Sequence, residues 1–356
     1  MSETSIQAGL RWQSNYCNGS GAPLSGEVLR RLAEDAAVAE AFAPVFAPFA
    51  DLTAPAFLTA AIPLRALGAL HFIVLTEPAS ALAAAYAAGG GDALGPALVE
   101  AARTRRGVFD RFMASPPQTN EARRSLCLFG GFLTVAAETG LPLRCLEIGA
   151  SAGLNQNWDR FHYDLGERGR WGDPSSPVSF SGGWSGAAPP LQASVTVAGR
   201  AACDQNPIDI RDETAALSLL AYIWPDQPER LARARAAIEL SRTVGAAPEK
   251  ADAADWTAEH ASPKAGVATV LYHSVFWQYP PEETRAAIRS AIAAAGAAAT
   301  RDAPFAWLRM EPDPQNPLHP MEVRLTLWPD GRERLLARVH AHGAAVEWLA
   351  GTEIDA

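Results

Sequence analysis

One segment constrains this chain more than any other. The short apolar run Arg144-Cys145-Leu146-Glu147-Ile148 is followed at once by Gly149-Ala150-Ser151-Ala152-Gly153-Leu154-Asn155. An apolar run of this length bounded by glycine reads as a strand, and the small residues after it as a turn that opens a helix. Small side chains let backbone amides approach a ligand, and a helix N-terminus favours negative charge. The pattern then repeats downstream. Residues 193–199, 267–275 and 304–310 read as strands, with a less regular run at 244–250. Helical spacing fills residues 212–224, 228–241 and 281–295 between them. Alternation of this kind predicts βαβ units and a mostly parallel sheet. Residues 321–328 and 334–342 flank Pro329-Asp330-Gly331-Arg332, and the Asp-Gly pair predicts a closing hairpin.

Residues 1–140 read differently. Residues 26–46 have apolar positions at helical spacing, residues 57–75 form a buried helix with a break near Gly68, and Asp92 is placed to cap a helix over 93–113. Asn120 precedes a further helix over 121–139. The expected organisation is an N-terminal helical domain over 1–140, which caps the site and selects substrate. An α/β domain follows over 141–356, with a Gly-, Ser- and Pro-rich β insertion near 163–192.

Composition excludes several classes. With 48% hydrophobic and 19% charged residues the chain can bury a core, so it is not disordered. Four cysteines without a CxxC pair form neither a disulfide framework nor a zinc ribbon, and reduced thiols in a cytoplasmic protein are expected. No run of about 18 apolar residues occurs, because Glu77-Pro78 separates the two longest stretches, so no membrane partner is expected. The polar start lacks the apolar core of a signal peptide. The net charge of −9 argues against nucleic acid, and Arg103-Thr104-Arg105-Arg106 reads as a solvated helix face. A small-molecule partner fits better; the oligomeric state is not encoded in any visible pattern.

The turn at Gly149 has two chemical readings and one plain one. Gly149-Ala150-Ser151-Ala152-Gly153 matches the nucleophile elbow G-x-S-x-G, with Ser151 as nucleophile and His273 or His319 as its base. It also matches a cofactor loop in which Glu147 ends the first strand. The plain reading is a tight strand-to-helix turn. Context favours the cofactor loop. An elbow needs an upstream oxyanion-hole sequence, and the one upstream histidine, His71, sits in an apolar run. Acids follow the later strands instead. Asp204 is placed to accept from ribose hydroxyls. Asp252 with the amide of Ala253 is placed to read an adenine edge, beside Trp256. His273, Ser274, Trp277, Gln278 and Tyr279 cluster after the 267–275 strand.

That order of elements resembles class I S-adenosylmethionine-dependent methyltransferases. The whole chain resembles the bacterial family called domain of unknown function 2332. The likeness is carried by Pro117-Gln118-Thr119-Asn120-Glu121, the turn 147–155 with Asp159-Arg160, residues 203–209, Trp224-Pro225-Asp226, and His273-Ser274 with Trp277-Gln278-Tyr279. Residues 307–312 and 324–328 add to it. The methyltransferase resemblance implies a Rossmann-like sheet with a terminal β-hairpin and S-adenosylmethionine as cofactor. Glu147, Gly149, Ser151 and Gly153 would hold its methionine end, Asp204 its ribose, and Asp252 with Ala253 its adenine. Ser151 stands where the methyltransferases carry glycine.

Further candidates follow from chemistry. His273 is the candidate base, or else a histidine bonding neighbouring strands. Tyr279 is the second candidate catalytic group. Gln118, Asn120, Glu121, Asn155, Trp277 and Gln278 are candidate substrate contacts, Asn120 being equally a helix cap. Asn157 is expected to be solvated. Arg309 and Glu311 share a strand face, as an ion pair or as site lining. His340 and His342 share another, without a third ligand, so no metal site is expected. The function expected is methyl transfer to an unidentified acceptor. The alternatives are a serine hydrolase using Ser151 and a non-catalytic S-adenosylmethionine-binding protein.

Overall fold

Asp35 shows how locally the helices are specified. Its carboxylate accepts the amides of Ala37 (3.0 Å) and Val38 (3.3 Å), which caps the helix Ala36–Phe46 and ends the helix Pro23–Glu34. The single helix expected over 26–46 is therefore two. The break expected near Gly68 lies instead at Ala61, whose φ of 55° separates Ala54–Thr59 from Ile62–Thr76. The helix expected over 93–113 parts at Arg105 into Leu94–Thr104 and Arg106–Met113, and the first starts behind Ala93 without a side-chain cap from Asp92. Periodicity marks which face is buried, but a cap or a left-handed residue decides where a helix stops.

The structure is a computed structural model that describes residues 3–244, 246–313 and 320–353. The chain divides into two units, Met1–Thr119 with Arg211–Arg235, and Asn120–Ile210 with Ala236–Ala356. The division expected at residue 140 thus falls twenty residues earlier, and a downstream segment returns to the helical unit. That unit buries Leu10, Phe42, Phe57, Leu70, Phe109 and Phe112 in one apolar core. Asp226 ties the returning segment down by accepting the amides of Leu24 (2.7 Å) and Ser25 (3.1 Å) and the hydroxyl of Ser25 (2.6 Å) at the start of Pro23–Glu34. Buried His71 does the same through a 3.2 Å bond from Nδ1 to the carbonyl of Ala221. No single helix among the described residues is long and apolar enough to cross a membrane.

The second unit holds the strands β1 (Leu143–Ile148), β2 (His162–Asp164), β3 (Arg170–Trp171), β4 (Ser179–Ser181), β5 (Trp184–Gly186), β6 (Val197–Asp204), β7 (Glu249–Lys250), β8 (Ala268–Ser274), β9 (Phe305–Glu311), β10 (Met321–Trp328), β11 (Arg332–Val339) and β12 (Val346–Glu353). Among the described residues they form a nine-stranded sheet ordered β5-β12-β11-β10-β9-β8-β1-β6-β7 and a small sheet β3-β2-β4. Strands β7, β6, β1, β8 and β9 are parallel. Strands β9 to β12 then pair antiparallel in succession, so the expected hairpin is part of a longer meander. The strand expected over 193–199 runs instead from Val197 to Asp204.

Both faces of the parallel part are covered, which is why β8 is buried throughout. The helix Arg124–Thr139 lies over the face bearing Tyr272, where Phe132 meets Tyr272 edge-on at 5.0 Å. On the other face Leu146, Ile148 and Leu271 pack with Trp256, Ile288 and Ile292 from the helices Ala253–His260 and Glu282–Ala298.

Replacing Asp226 with alanine removes three accepted hydrogen bonds at one helix start. A loss of about 2 kcal/mol is expected. Urea titration of wild type and Asp226→Ala should show the lowered midpoint, and an unchanged midpoint would contradict the capping role.

Candidate functional site

The carboxyl ends of the parallel strands lie side by side. Ile148 is in register with Cys203, and Ser274 with Met310. The chain leaves β1 for β6 on one side and later adds β8 on the other. Open α/β sheets bind ligands beyond the strand ends at such a reversal.

The turn after β1 is left-handed at three positions, Gly149 (φ 67°), Ser151 (φ 54°) and Gly153 (φ 75°). A serine there is uncommon and needs support. Its amide donates to Asp204 Oδ2 at 2.8 Å, and its carbonyl accepts the amide of Ile208 at 3.1 Å. Asn120 braces the far side by accepting the amide of Leu154 at 2.8 Å. Asp204 Oδ1 accepts the amide of Asn206 at 2.8 Å. The buried Ser151 hydroxyl has no hydrogen-bond partner among the described residues.

The expected α-helix after the turn does not form. Leu154–Arg160 is a kinked 3-10 segment, so no long helix dipole points at the turn. Its polar groups are spent inward. Asn155 is buried and accepts the Ser125 hydroxyl at 2.8 Å. Asn157, expected in solvent, is buried and donates to Ser241 Oγ at 2.7 Å. Asp159 forms a two-point pair with Arg200 at 2.9 and 3.0 Å. The glycines answer to this chain's own side chains. A Cβ on Gly149 would strike the Phe276 ring, and one on Gly153 would crowd Pro248.

Glu147, the penultimate residue of β1, is almost fully buried, and Tyr272 donates to its Oε2 at 3.2 Å. Burial pushes its carboxyl up to about 8, against the opposing pull of the Tyr272 bond. It is therefore a protonated acid at neutral pH. Asp252 caps the helix Ala253–His260 through Oδ1 alone, accepting the amides of Ala254 (2.8 Å) and Asp255 (3.3 Å). Ala253 is the first residue of that helix.

Glu311 gathers the groups at the end of β8. It accepts His273 Nδ1 at 2.6 Å and the amides of Phe276 (3.0 Å) and Trp277 (3.2 Å). Trp307 Nε1 donates to His273 Nε2 at 3.1 Å. An indole nitrogen only donates, so Nε2 carries the lone pair and Nδ1 the proton. Both ring nitrogens are then engaged, and the fully buried ring stacks on Trp277 at 5.3 Å. Between them Val275, a β-branched residue, is held at φ 53°. Arg309, on the same strand face as Glu311, pairs instead with Glu333, which Arg324 also meets.

Gln278 and Tyr279 follow on the surface, Tyr279 being 73% exposed. Glu121 is buried and accepts the amide of Arg123 at 3.0 Å. Gln118 belongs to the helical unit. The structure thus brings Glu147, Ser151, Asp204, Asn120 and Asn155 together around one turn, and His273 and Trp277 around Glu311. The sequence reading underrated Glu311 and missed Arg124. Strand alternation with Trp307 was the available signal for Glu311; nothing in the pattern marked Arg124.

The profile of a family described as uncharacterised proteins conserved in bacteria, domain of unknown function 2332, matches residues 7–348. The chain belongs to this family. No curated protein and no solved structure matches it. In this member of the family, Asn120 of the Gln118-Thr119-Asn120-Glu121 segment supports the glycine turn. Asp226 of Trp224-Pro225-Asp226 caps a helix in the other unit. His273 and Glu311 bond each other.

Two outcomes are expected. Glu311→Ala strands three donors, two of them backbone amides, and should cost about 3 kcal/mol or more in denaturant unfolding. Glu147 retains its proton in the folded chain between its ordinary value of 4.5 and about 8, whereas the unfolded chain releases it. Stability should therefore fall across that window, by up to about 1.4 kcal/mol per pH unit. Glu147→Gln should flatten the slope; an equally steep slope in the variant would show that another group carries it.

Proposed function

We propose that the sheet-bearing unit binds S-adenosylmethionine at the carboxyl ends of β1 and β6, and that the protein is a methyltransferase. The observation that carries this reading is the 2.8 Å bond from the Ser151 amide to Asp204. It joins the turn after the first strand to the acid after the second, where the strand order reverses. Counted from β7 to β9, the parallel strands run third, second, first, fourth, fifth. That order is shared with doubly wound nucleotide-binding sheets.

The donor set suits the nucleoside end of such a ligand. Each Asp204 oxygen keeps a lone pair beyond its one amide bond, enough to accept from two ribose hydroxyls. Asp252 keeps Oδ2 free of the cap, available to an adenine amino group beside Ala253. The unpartnered Ser151 hydroxyl is a buried group that a ligand would satisfy. At the other end Phe276 covers Gly149, so a ligand tail lying along that face requires the ring to swing aside.

The cofactor, when bound, supplies an activated methyl group, and the protein's share is alignment and exclusion of water. His273 is a fixture of the strand ends in this reading, since Glu311 and Trp307 hold both its nitrogens. Tyr279 and Gln278 are the groups left to meet a small-molecule acceptor. The hydrolase reading is weaker. The Ser151 hydroxyl has no imidazole partner among the described residues, and His319 lies outside them.

Thermal shift with S-adenosylmethionine and S-adenosylhomocysteine tests the proposal. Either ligand at a hundred times its dissociation constant should stabilise the protein by about 2.7 kcal/mol. Asp204→Ala should abolish the shift. No shift with either ligand would overturn the reading, and labelling of Ser151 by a fluorophosphonate would favour the hydrolase.

A further inference from the structure

Arg124 is a desolvated charged group of the sheet-bearing unit that meets no carboxylate directly among the described residues. It opens the helix Arg124–Thr139. Its Nε donates to the carbonyl of Ala341 at 3.1 Å, and its Nη1 reaches the carbonyl of Ser274, the last residue of β8, at 3.5 Å. A guanidinium has five N–H donors, so most of this one is unused. Among the described residues no carboxylate lies within ion-pair distance of it. Arg200, Arg309 and Arg324 in the same unit each meet a carboxylate directly.

This isolation is not that of a solvated surface arginine. Protein crowds Arg124 closely enough that desolvation lowers its pKa, yet part of the residue stays accessible. A desolvated cation without a counter-charge in contact is costly. A partly accessible cation held beside the end of β8 has a use for an anion. Its neighbours narrow the choice. Glu121, Glu311 and Tyr279 lie within electrostatic reach, as does protonated Glu147. Two carboxylates nearby disfavour a multiply charged anion such as a phosphate. They favour a ligand whose single carboxylate travels with a cationic group.

We infer that Arg124 anchors the carboxylate of an α-amino-acid group, its free N–H donors facing the oxygens and Glu121 and Glu311 attracting the ammonium. Such a group has two sources, the tail of a sulfonium nucleoside or a free amino-acid substrate. The first source rests on the function proposed above; the second does not.

Calorimetry separates the two. The probes are S-adenosylhomocysteine, methylthioadenosine (which lacks the amino-acid tail), a panel of free α-amino acids, and the methyl esters of the tailed compounds. If the cofactor tail is the ligand, S-adenosylhomocysteine binds at least about tenfold more tightly than its ester or methylthioadenosine. The gap closes in Arg124→Gln and is partly kept in Arg124→Lys. If no nucleoside binds but free amino acids do, and their esters do not, the methyltransferase reading falls while the carboxylate site stands. The inference is overturned if wild type fails to distinguish any carboxylate from its ester, or if Arg124→Gln binds them as wild type does. The ester comparison uses wild-type protein alone, so it decides the matter even if the variants do not fold.

Discussion

The carboxylate of Glu311 is the contact on which the candidate site depends. Burying a carboxylate is costly unless hydrogen bonds replace its water. Here the replacements are the His273 ring and the amides of Phe276 and Trp277. Because two of the three donors are backbone, the bond shapes the chain after β8. It holds Val275 in a left-handed conformation that a β-branched residue rarely adopts. It sets the Phe276 ring against Gly149, so one acid at the end of β9 determines what covers the turn after β1.

The turn itself has two side-chain braces, Asp204 and Asn120, both acting on backbone amides. This arrangement makes the strained serine tolerable and leaves its hydroxyl without a partner. It also places an acid from β6 where it has bonding capacity to spare. Protonated Glu147 and under-balanced Arg124 lie on the same edge and have opposite histories. The acid avoids the cost of burial by keeping its proton, whereas a guanidinium cannot shed its charge and so calls for an anion.

Much of this was legible before the fold was known, for identifiable reasons. β1, β8 and β9 announced themselves as short apolar runs because both faces of a parallel sheet are covered. Glu147, Asp204 and His273 were expected near strand ends, and they lie at the carboxyl ends of β1, β6 and β8, which are adjacent in the sheet. What escaped was partnership. His273 read equally as a base or as a histidine bonding neighbouring strands, and no local pattern showed that Trp307 and Glu311, 34 and 38 residues further on, hold both its nitrogens. Asp252 and Asn120 read as ligand contacts, but each spends an oxygen on local or neighbouring backbone. Helix limits escaped for a local reason, since Asp35 and Ala61 interrupt runs whose apolar spacing continues across them.

The amino-acid sequence alone determined the class of the fold, the glycine turn behind the first strand, and the family to which the chain belongs, because these follow from local patterns of size and polarity. Only the tertiary structure decided which donors meet which acceptors. It returned residues 211–235 to the helical unit, left Arg124 without a carboxylate in ion-pair distance among the described residues, and gave His273 its tautomer. Those outcomes depend on contacts between residues far apart in the chain, and no local pattern records the distance between them.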